Sequence, residues 1–289
     1  MHDSAVQFST QSLDKKTFQD LIIHVINFFK SHKMTNCKNE IEWFLQDLLQ
    51  CDKAQLYEKQ KGLIDTKHYN HINNFVNQRA KGVPFQQLLK KASFYGRDFI
   101  INSNVLIPRS ETEVLIDILK ENKYKKMLDI GTGTGAIAIT ANLENIAESV
   151  DAIDIDIQAL KIAKRNQLKF NTSKVNFFKM DILKTIPDLT YDIIVSNPPY
   201  VSLKEYHQLS HEVKEHEPVH AITDFQDGLT FYKRYAIILK EILKPNGSAL
   251  FELSHFFKKD DLNKIFIDFK NIEFYNDLNQ DCRFIKITL

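Results

Sequence analysis

Leu128-Asp129-Ile130-Gly131-Thr132-Gly133-Thr134-Gly135-Ala136 reads as the end of a buried strand, a glycine turn and the opening of a helix. Glycines at such a point let the backbone turn sharply and come close to a ligand. Asp154 closes the next apolar run, where an acidic side chain accepts hydrogen bonds from ribose hydroxyls. Together they predict a site for an adenosine-containing group. Gly131, Gly133 and Ala136 also satisfy the dinucleotide pattern G-x-G-x-x-G/A, so the turn by itself leaves NAD open.

Outward from this turn, strand-like apolar runs fall at 127–130, 150–153, 175–178, 192–195, 248–253, 272–275 and 284–288. Helical stretches lie between them, clearest at 159–171 and 230–243. Strands alternating with helices through short loops predict an α/β domain over 109–289, with a mostly parallel sheet covered on both faces. The last two runs have no helix between them, so the final strand is expected to run antiparallel.

Residues 1–91 read as all-helical. Leu21, Ile22, Val25, Ile26 and Phe29 recur at helical spacing, as do Ile41, Phe44, Leu45, Leu48 and Leu49, with Trp43 on the shoulder. Tyr69, Ile72, Phe75 and Val76 form a third such set, stopping near Gly82. Between the two regions, 92–108 is expected to form a linking β-hairpin, with Asn102-Ser103-Asn104 separating the apolar run at Phe99 from Val105-Leu106-Ile107. Ser110 and Glu113 have capping-box spacing at the start of the following helix. Arg109, just before them, has no such structural explanation.

The chemistry is carried by Asn197-Pro198-Pro199-Tyr200, which follows the run at 191–196. Proline cannot donate to a sheet, so the pair ends the strand. Pro199 also holds Pro198 extended, which aims its carbonyl. The loop offers an amide side chain, an aimed backbone carbonyl and an aromatic face, a set suited to holding a flat amide or amino group. Hydride transfer needs no such pair of acceptors at a strand end, whereas methylating an amide or amine nitrogen does. That favours a methyl donor over NAD.

Composition agrees without deciding. The chain has 289 residues, 43% hydrophobic with 21 Phe, ample for packed cores. A net charge of +1, from 38 basic and 37 acidic residues, supplies no global field to attract nucleic acid. Cys37, Cys51 and Cys282 are scattered and odd in number, which suits a reducing cytoplasm. No apolar run approaches the ~18 residues of a membrane span. His207, His211, His216 and His220 lack the context of a metal site and read as part of a polar segment covering the substrate site, so no metal is expected.

Asp129-x-Gly131-x-Gly133-x-Gly135, the strand-end Asp154 and Asn197-Pro198-Pro199-Tyr200 resemble the class I S-adenosylmethionine-dependent methyltransferases that act on planar nitrogen. Leu106-Ile107-Pro108-Arg109-Ser110-Glu111-Thr112-Glu113 and the helical N-terminal region are similar to the peptide chain release factor glutamine N5-methyltransferases, the PrmC/HemK family. Arg79-Ala80-Lys81-Gly82, Phe94-Tyr95-Gly96, Glu217-Pro218 and Asp227-Gly228-Leu229 add to that likeness. Ser110 stands where the family usually has Pro, and Ile182 where it often has an aromatic.

The resemblance implies a seven-stranded Rossmann-like sheet with an antiparallel last strand and a helical substrate-recognition domain. It implies a methyl group taken from S-adenosyl-L-methionine, leaving S-adenosyl-L-homocysteine, and placed on the glutamine side chain of a Gly-Gly-Gln motif in release factors. The methionine end of the cofactor is then expected over Asp129, Gly131, Thr132, Gly133, Thr134 and Gly135, near Asn197. Its ribose is expected at Asp154, and its adenine at Asp181 and Ile182. Asn197, Pro198, Pro199 and Tyr200 are expected to hold the substrate amide, with Phe94 on its other face. Glu252 and Arg283 match family positions without an evident role. A monomer acting on a protein, without direct nucleic-acid or membrane contact, is expected. A ribosomal-protein glutamine methyltransferase, a nucleic-acid adenine N6-methyltransferase and a non-catalytic scaffold on this fold are the alternatives.

Overall fold

The computed structural model describes residues 7–10 and 16–289. The parts of the expected helical region at 1–6 and 11–15 lie outside the described residues. The chain divides into two compact units, Met1–Lys90 and Lys91–Leu289.

In the first unit, α1 (Phe18–Ser31) starts at a capping box, Thr17 and Asp20 satisfying each other's backbone N–H. It buries Leu21, Ile22, Val25 and Phe29 against α2 (Cys37–Leu49), α3 (Lys53–Lys59) and α4 (Tyr69–Ala80). Phe44 of α2 and Phe75 of α4 stack with ring centroids 3.9 Å apart. Arg79, at the end of α4, forks onto Glu40 at 2.7 and 3.0 Å, a pair with little solvent contact. Gly82 follows in the left-handed region at φ +91°, as a helix stop requires. Two short helices escape the periodicity reading. One is α3, which buries only Leu56; the other is α5 (Phe85–Leu89), opened by Pro84.

The second unit begins with a hairpin, β1 (Lys91–Phe94) and β2 (Arg97–Ile100). Its turn is Tyr95-Gly96, both at positive φ (51° and 71°), rather than Asn102-Ser103-Asn104. A two-residue turn of that hand matches the twist of the flanking strands. Tyr95 tolerates it because its N–H is bonded by Glu113 and its hydroxyl by Asp117 and Lys120. The expected strand at Val105–Ile107 does not form. Val105 and Ile107 instead pack as irregular chain with Ile101, Ala159 and Ile162. The capping box at Ser110 and Glu113 also does not form. Glu113 is drawn to Tyr95, and Ser110 Oγ donates to Glu111 before α6 (Glu113–Leu119).

Then come β3 (Tyr124–Ile130), α7 (Ala136–Leu143), β4 (Ala147–Asp154), α8 (Ile157–Phe170), β5 (Val175–Lys179) and β6 (Tyr191–Ser196). Two short helices, α9 (Leu203–Tyr206) and α10 (His211–His216), precede α11 (Thr230–Ile242), β7 (Leu243–Glu252), α12 (Lys259–Ile265), β8 (Asn271–Asn276) and β9 (Cys282–Thr288). The seven-stranded sheet runs β5-β4-β3-β6-β7-β9-β8, with β9 antiparallel to both neighbours and the remaining pairs parallel. One core holds α6 and α7 residues such as Leu115, Ile116 and Ile139; another holds Tyr232, Tyr235 and Leu239 of α11 with Phe266.

Chain order reverses beside β3: β4 and β5 lie on one side, and β6 and β7 on the other. A crevice at the carboxyl ends of β3 and β6 follows from that reversal. Gly135, which caps α7 at φ +79°, has no room for a side chain; a Cβ there meets Ile139, Phe177 and Ala163 at 3.1–3.3 Å. Gly135→Ala is expected to lower folding stability by about 1–3 kcal/mol through backbone strain and overpacking. Denaturant titration checks this, and an unchanged midpoint would show that the turn relaxes freely.

Candidate active site

Parallel pairing places Ile130 opposite both Ile153 and Ser196, so the chain leaves β3, β4 and β6 at one level. At those ends stand Asp154, the last residue of β4, and Gly131 and Asn197, the first residues past β3 and β6. They line one cavity of about 260 Å³, together with Pro198, Pro199, Asp181 and Ile182. Val105 and Leu106 from the irregular segment, Tyr235 of α11 and His220 complete parts of its wall. Of the four histidines in the polar segment, only His220 lines it; its Nε2 lies 3.7 Å from Asp156.

Gly131 and Gly133 sit at positive φ (75° and 55°), and nothing lies within 4 Å of where a Cβ would stand on either. Their bare backbone therefore faces open space, the geometry of a turn on which a ligand rests. Asp154 Oδ2 accepts from Gly133 N at 2.9 Å and Oδ1 from Asp156 N at 2.9 Å, which ties the acid to the turn. A carboxylate has lone pairs beyond these two. Burial pushes its pKa up, against the two backbone bonds.

Asp129, Thr132, Thr134 and Gly135 depart from expectation, because none lines the cavity. Asp129 is wholly buried and accepts from Thr132 Oγ1 at 2.7 Å, so it shapes the turn from behind. Burial pushes its carboxyl up to about 7. Thr134 faces the core and its carbonyl takes a bond from Asn166. Phe94 is a larger departure. It is fully buried, edge-to-face with Phe99 at 6.1 Å, and belongs to the core rather than to any substrate surface.

On the other side of the cavity, Asn197 Nδ2 donates to Thr112 Oγ1 at 3.2 Å. Among the described residues no donor is bonded to Asn197 Oδ1 or to the Pro198 carbonyl. Tyr200 does not line the cavity; its ring packs against the α11 core and its hydroxyl donates to Glu252 Oε1 at 3.1 Å. Thr112 Oγ1 donates to Glu252 Oε2 at 2.6 Å. Glu252, at the end of β7, is 1% exposed, and burial pushes its carboxyl up to about 7 against the Thr112 and Tyr200 bonds and the charge of Arg283. Arg109, unexplained by the sequence, donates to the buried Glu217 at 2.6 Å, and Glu217 also takes the Ile107 N–H at 3.1 Å.

A further clamp comes from 222–230. Val201 N bonds to Ile222 O at 3.1 Å, and Asp224 accepts from the N–H groups of Gln226, Gly228 and Thr230. A Cβ on Gly228 would stand 2.3 Å from the Tyr200 carbonyl oxygen, so only glycine permits this approach.

Residues 110–216 match the family described as "Methyltransferase small domain", and residues 20–89 match "PrmC N-terminal domain". The release factor glutamine methyltransferase of Fusobacterium nucleatum is 36% identical over 265 residues, covering 88% of this chain and 75% of that protein. The chain belongs to the release factor glutamine methyltransferase family. Family members from Koribacter versatilis (35% identical, covering 82% of this chain and 86% of the relative) and Bacillus subtilis (42%, covering 62% and 65%) are similar too. A methyltransferase structure from Pyrococcus furiosus superposes with a TM-score of 0.51 at 19% identity, covering 68% of this chain and 90% of that one, a likeness of fold.

Glu252 also leaves a mark on stability. Its folded pKa lies above the unfolded value, so its contribution is full below about 4.5 and lost as pH rises through about 7. Glu252→Gln has no such proton to lose. The stability of this variant relative to the parent is therefore expected to rise between pH 5 and pH 8 in paired denaturant titrations. A difference independent of pH would contradict the burial of an ionisable group there.

Proposed function

We infer that this chain transfers a methyl group from S-adenosylmethionine to the side-chain nitrogen of the glutamine in the Gly-Gly-Gln motif of peptide chain release factors. The observation that carries the reading is a pair of acceptors to which no described donor is bonded, Asn197 Oδ1 and the Pro198 carbonyl, on two residues lining the cavity that also holds the bare Gly131 and Gly133 backbone. That cavity suits the cofactor: open space over two glycines at one end, an acid at the next strand end, and an apolar wall at Ile182. Gly131 and Gly133 would hold its methionine end, Asp154 its ribose, and Asp181 with Ile182 its adenine. S-adenosylmethionine, when bound, supplies an electrophilic methyl on a sulfonium.

An amide nitrogen is a poor nucleophile because its lone pair is shared with the carbonyl. Asn197 Oδ1 and the Pro198 carbonyl would accept its two N–H bonds, fixing the nitrogen and favouring positive charge as it builds there. Pro199 keeps the Pro198 carbonyl aimed. Tyr200 acts by anchoring the loop. An N-alkylated amide cation is strongly acidic, so its proton leaves without a dedicated base. Among the described residues no helix is long and apolar enough to cross a membrane, and we place the reaction in the cytoplasm, where release factors work.

Labelled-methyl transfer tests the reading. A release factor is expected to take label, whereas its Gln→Ala variant in the Gly-Gly-Gln motif, a ribosomal protein and DNA are expected to take none. Label on either of the last two instead would replace this reading. Asn197→Ala is expected to lower single-turnover transfer by roughly 10²-fold or more, in the range of losing one oriented polar stabiliser. Transfer at the parental rate would remove Asn197 from the mechanism.

A further inference from the structure

Glu252 does not line the cavity described above, yet it is the buried end of two hydrogen-bonded arms that lead to the substrate loop. One runs from Glu252 Oε2 through Thr112 to Asn197 Nδ2; the other runs from Glu252 Oε1 to the Tyr200 hydroxyl. We propose that Glu252 is a positioning residue for methyl transfer: by accepting the hydrogen bond of the Thr112 hydroxyl it dictates which end of the Asn197 carboxamide faces the substrate.

Hydrogen-bond polarity imposes that orientation. An ionised carboxylate only accepts, so the single hydroxyl proton of Thr112 must point at Glu252. The 2.6 Å separation is that of a bond to a charged oxygen. Thr112 Oγ then has only lone pairs left, and these can receive only a donor. The Asn197 side chain must therefore present Nδ2 to Thr112, which turns Oδ1 the other way. A carboxamide is nearly symmetric in shape, and sterics alone do not choose between its two orientations. The wrong one would offer an N–H to the substrate's own N–H. Tyr200, donating to the other carboxylate oxygen, fixes the far end of the same loop.

The assignment rests on the methyl-transfer reading above and adds to it the origin of the amide's orientation. A neutral group at this position carries a proton of its own. That proton can occupy the Thr112 lone pairs and free the Thr112 hydroxyl to donate to Asn197 Oδ1, reversing the amide. The charged and titratable groups facing Glu252 are Arg283, which is paired with Asp277, together with Glu111, Tyr200, Tyr232 of α11, whose hydroxyl donates to the Glu252 carbonyl, and, acting on Tyr200, Arg109. Burial raises the Glu252 pKa, so the charged form that sets the polarity gains population across neutral pH.

The test uses the full chain and a release factor carrying Gly-Gly-Gln, with Thr112→Val, Thr112→Ser, Glu252→Gln and the Thr112→Val/Glu252→Gln pair. Thr112→Val and Glu252→Gln are each expected to lower kcat about tenfold or more, the scale of one oriented hydrogen bond, with S-adenosylmethionine Kd held within about twofold. Thr112→Ser, which keeps the hydroxyl, is expected to recover most of kcat. The double variant is expected to lose no more than Glu252→Gln alone, because the two act in one chain. The parent is expected to show a kcat that rises with pH near neutrality, and Glu252→Gln to show no such rise. Parental kcat in both Thr112→Val and Glu252→Gln would overturn the proposal, as would equal losses in Thr112→Ser and Thr112→Val.

A readout independent of turnover separates this proposal from the substrate assignment. In side-chain amide NMR, the Asn197 Nδ2 hydrogens should show contacts to Thr112 in the parent and lose them in Glu252→Gln. If that holds while the parent labels no release factor, the substrate reading fails and the positioning role stands. If the parent labels its substrate and the contacts persist in Glu252→Gln, the positioning role fails alone.

Discussion

The register of three parallel strands is the constraint on which the site depends. Ile130 pairs with Ile153 on one side and Ser196 on the other, so β3, β4 and β6 end together. A slip of one residue on either side would turn every side chain of a strand to the opposite face, into the wrong core, and move its terminal residue out of line. Each strand is buried on both faces, which fixes the register through core packing rather than through the loops. The loops can then be given over to chemistry: a glycine turn, an acid and a proline-locked amide, none of which contributes much apolar surface.

The same arrangement explains why charged groups are kept in dry places. Asp129 and Glu252 lie behind the two halves of the site, each wholly buried and each with its pKa raised by burial. Neither arrangement favours stability, since an ionised carboxylate loses more on burial than one or two neutral hydroxyl donors return. Asp129 is connected to the glycine turn through the Thr132 hydroxyl, and Glu252 to the substrate loop through two, that of Thr112, which meets the Asn197 side chain, and that of Tyr200. A hydroxyl facing a carboxylate has its proton direction decided, and that direction is what each loop inherits. The stability given up here is of the kind that functional sites recurrently carry.

Much of the fold was legible along the chain because its signals are local. Helical spacing in 21–29, 41–49 and 69–76 needs only one helix face, and the strand ends at Gly131, Asp154 and Asn197 are marked by residues that stop or turn a strand. The features that were not legible depend on partners far away. Thr112 meets Glu252 across 140 positions, and Arg109 meets Glu217 across 108. Glu113 has the spacing of a capping residue but is taken by the Tyr95 N–H, a competition no local pattern reveals. The hairpin turn was misplaced for a related reason: Tyr95 adopts a positive φ only because tertiary bonds hold it there, whereas Asn102-Ser103-Asn104 carries the ordinary turn composition. Phe94 serves the core because the hairpin face that carries it, with Ala92, is turned inward.

Rigidity at the Asn-Pro-Pro-Tyr corner has three separate sources, and they act in different directions. The Pro198-Pro199 pair restricts the backbone along the chain. The Glu252 arms tie the loop to the end of β7, at Asn197 through Thr112 and at Tyr200 directly. The segment 222–230 restrains it from the side, with Gly228 pressed against the Tyr200 carbonyl and Asp224 holding that segment's own N–H groups. A loop restrained along only one of these directions would still pivot, and a displacement of about 1 Å at the acceptors is enough to cost a large share of the rate. Holding two acceptors at a fixed separation from a glycine turn on a neighbouring strand requires all three restraints at once. This explains why residues as distant as Thr112, Gly228 and Glu252 converge on one short loop.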